Sequence, residues 1–171
     1  NVAINTKVGA TFSEGMDPLS ISTTTLSLMQ GTTVVPGTVS YSGVSAVLSP
    51  SSNLTPSALY TVTIKGGVGG VKDLAGNVMG SDFVLSWTTG ASSDTSPPTV
   101  SGTTIGDGAV NVAIDTKVGI TFSEGMDPLT ITNVNCTLTE ASSGRTVSGT
   151  VSYSGVSVEL YADDFGPAYY L

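Results

Sequence analysis

The sequence predicts an all-β protein built from two consecutive β-sandwich units. Residues 1–21 and 111–131 are identical at 18 of 21 positions. The three differences are Asn5/Asp115, Ala10/Ile120 and Ser20/Thr130. A block of this length that recurs 110 residues later indicates a duplicated domain, because solenoid repeats have periods of only about 20–50 residues. Thr, Ser, Gly and Val dominate the chain, which favours strands and turns, and no window shows sustained helical periodicity.

Alternating apolar residues predict the strands of the first unit. In the first of them, Val8, Ala10 and Phe12 fall on one face, as in a half-buried strand. Later segments repeat this alternation between turn residues. The six predicted strands span residues 7–13, 24–29, 37–41, 45–48, 60–64 and 83–87.

Turn chemistry separates the predicted strands. Residues 14–18, EGMDP, end the first strand, since Gly and Pro interrupt regular structure and Asp favours turns. Residues 42–43, Ser-Gly, predict a hairpin. Residues 66–70 contain four glycines and a valine, which predicts a flexible loop. Residues 72–77 predict a tight loop with Gly76 at positive φ.

A short linker is predicted between the two units. Residues 90–98, GASSDTSPP, are small and polar and end in two prolines. We therefore expect a first unit at residues 1–89 and a second at residues 99–171. The second unit is expected to open with a strand at 99–104, followed by a turn at 106–108.

The charge balance excludes several classes of function. The chain carries 13 acidic and 5 basic residues and no His, for a net charge of −8. Such a balance disfavours nucleic acid and anionic membranes, which bind through Lys and Arg. We predict no membrane insertion, because no apolar run approaches the roughly 18–20 residues of a membrane-spanning helix. Without His no Ser-His-Asp triad can form, and we predict neither catalytic residues nor an enzyme.

Four motifs in order carry a family resemblance. They are TFSEGMDP at 11–18, NLTPSALYTVTI at 53–64, VKDLAGN at 71–77 and FVLSWTT at 83–89. Together they resemble the bacterial Ig-like domain of S-layer and other cell-surface proteins, the Big_5 family, over nearly all of residues 1–89 and 98–160. The resemblance implies seven-stranded sandwiches, an extracellular or cell-surface location and no catalytic residues. It also makes Tyr60 a candidate tyrosine corner, whose hydroxyl bonds to upstream backbone.

The two units depart from the family pattern in different ways. The first has no counterpart of residues 99–110, so its first strand is expected to be missing. In the second, the match weakens at Glu159, and nothing corresponds to strands 60–64 and 83–87. We therefore expect tandem Ig-like sandwiches, the first nearly complete and the second truncated. The truncated unit ends in a divergent aromatic tail that contains Tyr161, Phe165, Tyr169 and Tyr170.

Two explanations for a truncated sandwich stay open. In one, the chain is a fragment, or the end of its sequence is incorrectly known. In the other, a strand from a neighbouring copy completes each open sandwich, because unpaired strand edges recruit other chains. Head-to-tail exchange of this kind does not close and would form a filament. Other copies of the chain are thus the predicted partners.

The acidic turns raise the hypothesis of a calcium site. Calcium requires roughly six to eight oxygen ligands, and no DxDxDG loop is present. The alternative is that Asp and Pro simply build the turns. Asp82 could contribute a further oxygen. The candidate ligands are Glu14, Asp17, Asp73, Asp94, Asp107, Glu124 and Asp127. No other cofactor is predicted.

The function predicted from the sequence is that of a non-enzymatic structural module of a secreted or cell-surface prokaryotic protein. It would act as a spacer or as a subunit assembling by strand exchange into a fibre. One alternative is an adhesive module that binds calcium, a glycan or ice, for which the Thr-rich residues 22–25 could supply a flat face. Another is an accessory domain of an extracellular enzyme. Cys136, at the position of Leu26, is predicted to be a small core residue.

Overall fold

The computed structural model describes residues 2–162 and confirms the all-β class. The regular elements in this range are β-strands and two single 3-10 turns, Pro18–Ser20 and Pro128–Thr130. The chain divides into two compact units between Ser96 and Pro97. Most of the predicted aromatic tail lies outside the described residues. The strands are β1 (Val8–Thr11), β2 (Leu26–Gln30), β3 (Thr33–Val34), β4 (Gly37–Ser42), β5 (Ser45–Pro50), β6 (Leu59–Ile64), β7 (Phe83–Thr88), β8 (Val100–Thr103), β9 (Val118–Phe122), β10 (Leu138–Thr139), β11 (Thr146–Val147), β12 (Gly149–Ser154) and β13 (Ser157–Ala162).

The first unit is a sandwich of two antiparallel sheets. One sheet has the strand order β1-β5-β4 and the other the order β3-β2-β6-β7. Ala10 of β1 pairs with Ala46 of β5. Leu26 and Leu28 of β2 are buried in one core with Leu48 of β5. The two-residue alternation read from the sequence is what places these side chains on the inner faces, because successive residues of a strand point to opposite sides.

The second unit has one complete sheet and a short hairpin. The sheet is antiparallel in the order β12-β13-β9-β8, and β10 pairs only with β11. Val158 and Leu160 of β13 are buried and lie opposite Ile120 and Val118 of β9. Within residues 2–162, the second unit has no strands that correspond to β6 and β7. In the part of the chain that the structure describes, the hairpin is therefore not extended into a second four-stranded sheet.

The repeated block takes a different position in the two sheets. It forms β1 in the first unit and β9 in the second. Strand β9 lies between β13 and β8, whereas β1 has only β5 beside it in the described part of the chain. Among the described residues, no strand pairs with the edge of β1 that corresponds to the β8 side of β9.

Two predicted turns are confirmed by their backbone angles. Gly43 has a φ of 59° in the β4–β5 hairpin, and Gly76 has a φ of 91° in the loop that follows Asp73. Residues with a Cβ rarely adopt such angles, which explains why glycine occupies both positions.

The glycine-rich stretch at 66–70 differs from the flexible loop that we predicted. Gly66 and Gly70 are buried, and a Cβ on Gly66 would overlap the backbone of Ser81. The N–H of Gly66 donates to the carboxylate of Asp82 at 2.8 Å. Glycine is needed here for close backbone packing rather than for freedom of motion.

Candidate functional site

The acidic turn shared by both units caps a 3-10 turn. Asp17 accepts a hydrogen bond from the N–H of Leu19 at 2.9 Å. Asp127 accepts the equivalent bond from Leu129 at 3.1 Å. A proline follows each aspartate, as expected where the first N–H of a turn needs no partner. The structure thus supports the view that Asp and Pro in this motif build a turn.

Lys72 compensates the charge of Asp17. Its Nζ lies 3.3 Å from the Asp17 carboxylate, and its carbonyl accepts the Asp17 N–H at 2.8 Å. The Lys72 N–H donates to the Ser20 hydroxyl at 3.1 Å. These contacts tie the acidic turn to the loop at 72–77. Because the ion pair is partly exposed, we assign it only a small stabilising effect.

Asp73 closes its own loop. Its two carboxylate oxygens accept the side-chain N–H of Asn77 at 2.7 Å and the backbone N–H of Asn77 at 2.8 Å. These hydrogen bonds, led by the one from the Asn77 side chain, lower the pKa of Asp73 because they favour the charged carboxylate. The carboxylate therefore acts as a structural acceptor in the loop.

The other candidate calcium ligands are dispersed. Asp94 accepts the N–H of Ser96 at 2.9 Å, and Asp107 lies exposed in a turn. Glu14 is exposed and Glu124 is partly buried. Residues 2–162 contain no group of three or more Asp, Glu, Cys or His side chains that could hold a metal. The geometry gives the calcium hypothesis no support.

The Thr-rich stretch at 22–25 does not form the flat face considered above. It is a turn in which the Thr25 hydroxyl is buried and donates to the Ser20 carbonyl at 2.6 Å. The hydroxyls of Ser22 and Thr24 lie 2.8 Å apart and bond to each other. These groups therefore stabilise the turn rather than present a regular array.

A tyrosine clip, defined here as Tyr41 in the first unit and Tyr153 in the second, was not predicted. Each hydroxyl accepts a 2.6 Å hydrogen bond from the backbone N–H of the methionine in the acidic turn, Met16 or Met126. Each also donates to the carbonyl of the glycine in its own hairpin, at 2.5 Å. The signal that could have found the clip is the segment GTVSYSGVS, which occurs unchanged at 37–45 and 149–157.

The predicted tyrosine corner at Tyr60 is confirmed. Its hydroxyl accepts the backbone N–H of Thr55 at 2.8 Å and donates to the Gln30 side chain at 3.1 Å. The ring is buried and stacks against Trp87, with the ring centroids 6.3 Å apart. Tyr60 thus connects the bend before β6 to β2 through its hydroxyl and to β7 through its ring.

Cys136 lines a groove in the second unit. The groove has a volume of about 340 Å³ and is bordered by Leu138, Val151 and Leu160. Burial raises the pKa of the Cys136 thiol because it disfavours the thiolate. Cys136 is half-buried, so it is less enclosed than Leu26, its counterpart in the first unit.

Apolar side chains that are covered in the first unit are exposed in the second. Ile4 packs against the core, and its carbonyl accepts the Leu54 N–H at 2.7 Å. Its counterpart Ile114 is 71% exposed. Leu28 is fully buried beside β6, whereas Leu138 is 37% exposed. Around Ile4 and Ile114 the local sequences are nearly the same, so the difference there comes from the segments that pack against Ile4, such as the one that contains Leu54.

These features define a class of protein, namely two consecutive Ig-like β-sandwich units. The polar residues that both units have in common form hydrogen bonds to the protein's own backbone. The sequence model of the bacterial Ig-like domain, Big_5, matches residues 1–89 and 94–167. The chain belongs to this family and contains two copies of the domain. No curated protein matches the chain. Big_5 domains are non-catalytic modules that occur in bacterial surface proteins. No helix in the described residues has the length and apolarity to cross a membrane.

Proposed function

We propose that this chain is a structural module of a secreted or cell-surface prokaryotic protein, in which the sandwich units space other parts of that protein. The observation that carries the proposal is the use of the shared polar residues. In both units, the aspartate and the tyrosine around the acidic turn bond to the protein's own backbone. Polar groups that are paired with backbone in this way satisfy the hydrogen-bonding needs of the fold.

Size-exclusion chromatography with light scattering tests the role of spacer. A spacer should elute as a monomer at every protein concentration, and negative-stain microscopy should show single particles. Immunolabelling of intact cells of the producing organism tests the location at the surface. Labelling only after the cells are lysed would contradict the proposed location.

A second candidate function is assembly between copies through strand exchange. The specific observation in its favour is the exposure of Ile114 and of Leu138 on β10, whose counterparts belong to the core of the first unit or pack against it. Exposed apolar strand faces favour association when a complementary strand is supplied. Association that rises with concentration, together with fibres in negative stain, would support this candidate over a simple spacer. Ile114→Lys should weaken association, whereas Thr38→Lys on the exposed face of β4 should not.

Three alternatives remain, namely calcium binding, adhesion to a glycan or ice, and a role beside an enzyme. No contact in the described residues supports them, but each can be tested directly. Calcium binding predicts a melting temperature that falls when EDTA is added to the purified protein. A melting temperature that EDTA does not change would exclude the calcium hypothesis. A protein that is not retained on glycan columns or on ice would exclude the adhesive hypothesis. The full-length reading frame tests whether the chain accompanies an enzyme.

A further inference from the structure

The segment that follows β7, residues 90–96, is hydrogen-bonded to the first unit, and we call it the strap. The Ile4 N–H donates to the Ser92 carbonyl in the strap at 3.2 Å. The Ile4 carbonyl accepts the Leu54 N–H at 2.7 Å, so Ile4 connects the strap to the bend before β6. The strap thus continues the backbone hydrogen bonding of the sandwich, although its own residues form no regular strand.

Asn5 makes a two-point contact with the strap. Its Oδ1 accepts the Asp94 N–H at 2.9 Å, and its Nδ2 donates to the Asp94 carbonyl at 2.8 Å. One side chain therefore pairs with both backbone groups of a residue 89 positions later, which requires a donor and an acceptor on the same group. The Asp94 carboxylate in turn accepts the Ser96 N–H at 2.9 Å. The hold of Asn5 on the strap thus extends to its last residue.

The second unit has an aspartate at the position of Asn5, and this is one of the three differences within the repeated block. Asn5 and Asp115 each lie in a turn closed by the same backbone hydrogen bond, from Thr6 or Thr116. An ionised carboxylate has no hydrogen to donate, so it cannot bond to a backbone carbonyl. Asn5→Asp is therefore a substitution that fits this turn and that removes the donor to Asp94.

Two prolines separate the strap from the first hydrogen-bonded residue of the second unit. Thr99 donates its N–H to the Ser123 hydroxyl at 2.9 Å, and its carbonyl accepts the Ser123 N–H at 2.8 Å. Pro97 and Pro98 lie between Ser96 and Thr99 and form what we call the joint. Each proline fixes its own φ at about −65° and restricts the residue before it to extended angles. While the strap is bound, the joint therefore has few rotatable bonds.

We propose that Asn5 is a positioning residue that keeps the joint short by holding the strap against the first unit. The inference deepens the first function proposed above, that of a spacer, and rests on it. Without the Asn5 contact, the flexible connection covers residues 94–98 instead of the two prolines. Small polar residues form flexible connections, whereas prolines form semi-rigid ones. Asn5 thus makes the chain a stiffer spacer.

Hydrogen exchange and a distance measurement test this role. In Asn5→Asp, exchange of the Asp94 N–H measured by NMR should be about tenfold faster, because both hydrogen bonds from Asn5 are lost. Spin labels on Ser40→Cys and Ser152→Cys, in a Cys136→Ser background, report distances by pulsed electron paramagnetic resonance. The two label sites are exposed and equivalent in the repeated strands β4 and β12. The distribution of distances between them should be broader when the chain also carries Asn5→Asp.

Thr32→Asp supplies the matched control, because it adds the same charge at an exposed turn residue outside the strap. It should leave the Asp94 exchange and the distance distribution unchanged. Asp94→Pro is a second test, since it removes the same N–H from the side of the strap and should also broaden the distribution. Urea unfolding followed by Trp87 fluorescence should be nearly the same in Asn5→Asp and Thr32→Asp, because the strap lies outside the core.

The outcomes separate this inference from the spacer function. Unchanged exchange of the Asp94 N–H in Asn5→Asp would show that the contact does not hold the strap. Faster exchange without a broader distance distribution would overturn the role of Asn5 in the joint. Faster exchange throughout the first unit would mean that Asn5 supports the whole sandwich, which would also overturn the proposal. Self-association that rises with concentration in light scattering would overturn the spacer function itself, whatever the exchange of Asp94.

Discussion

The hydroxyl of Tyr41 accepts a 2.6 Å hydrogen bond from the backbone N–H of Met16, 25 residues earlier in the chain. It also donates to the carbonyl of Gly43. Met16 is buried, so its N–H has little access to water as a substitute partner. This one side chain therefore holds the acidic turn against the β4–β5 hairpin.

Tyr41→Phe should reduce the unfolding free energy of the first unit by about 1–3 kcal/mol, because it leaves the Met16 N–H without a partner. Trp87 is the single tryptophan of the chain and packs against the first core, so its fluorescence reports on this unit. Urea unfolding followed by Trp87 fluorescence measures the change.

The repeat supplies a matched control for this measurement. Tyr153→Phe removes the same bond from the second unit, to Met126, and should leave the Trp87 transition in place. Ser40→Ala alters the exposed face of the strand that carries Tyr41 and should also have little effect. A Tyr41→Phe transition that coincides with that of Ser40→Ala would show that the clip contributes nothing.

The sequence reveals local alternation but not distant partners. The faces of β1, β2 and β6 follow from their two-residue pattern, and these strands lie where they were predicted. Tyr41 was not recognised as a clip, because its partner Met16 belongs to another element and only the folded chain brings them together. The packing of Gly66 and Gly70 was missed for the same reason. A glycine run reads as a flexible loop unless the backbone of Ser81 is seen beside it.

The candidate calcium site shows a related limit of sequence reasoning. Asp17 and Asp73 were grouped because carboxylates recur in turns, and the structure does bring their segments together. Lys72 joins the two segments, because its ammonium group pairs with Asp17, whereas Asn77 donates to Asp73 within the loop at 72–77 itself. Composition identifies the acids, but only the contacts show that their oxygens are already used.

The hydrogen bonds from Asn77 should make stability depend on pH through Asp73. They lower the pKa of Asp73 in the folded state, so its contribution is present above the ordinary Asp pKa of about 4 and is lost as pH falls through the lowered folded value. Asp73→Asn should therefore lower the melting temperature at neutral pH and have a smaller effect near pH 2–3.

Melting curves of the wild type and the variant at the two pH values measure this difference. Other carboxylates titrate in both proteins and cancel in the comparison. Asn77→Ala removes a donor but keeps the carboxylate, and it should show the same convergence at low pH. A difference in melting temperature that stays constant with pH would exclude the assigned role of Asp73.

Cys136 should react slowly with thiol reagents. Burial raises the pKa of its thiol, so the reactive thiolate is a smaller fraction at neutral pH than in free cysteine. Labelling with iodoacetamide near pH 7.5, followed by mass spectrometry, should be slower than labelling of an exposed reference cysteine. The reference is Thr38→Cys in a Cys136→Ser background, on the exposed face of β4. Faster labelling of Cys136 would identify it as an activated thiol.

The same substitution at Gly119 and Gly9 should have unequal effects on the second unit. Gly119→Ala places a methyl group where the Thr104 methyl already lies, and relief of that overlap requires β8 to shift. Overpacking of this kind typically costs about 1–3 kcal/mol. The Thr104 N–H, which donates to the Gly119 carbonyl, should then exchange its hydrogen faster.

Hydrogen exchange measured on the peptide that contains residues 99–104, in dilute protein, reports this change. Gly9→Ala alters the equivalent site on β1 and should leave exchange of that peptide unchanged, because β8 lies on β9 in the isolated chain. Unchanged exchange of this peptide in Gly119→Ala would contradict the requirement for glycine beside Thr104.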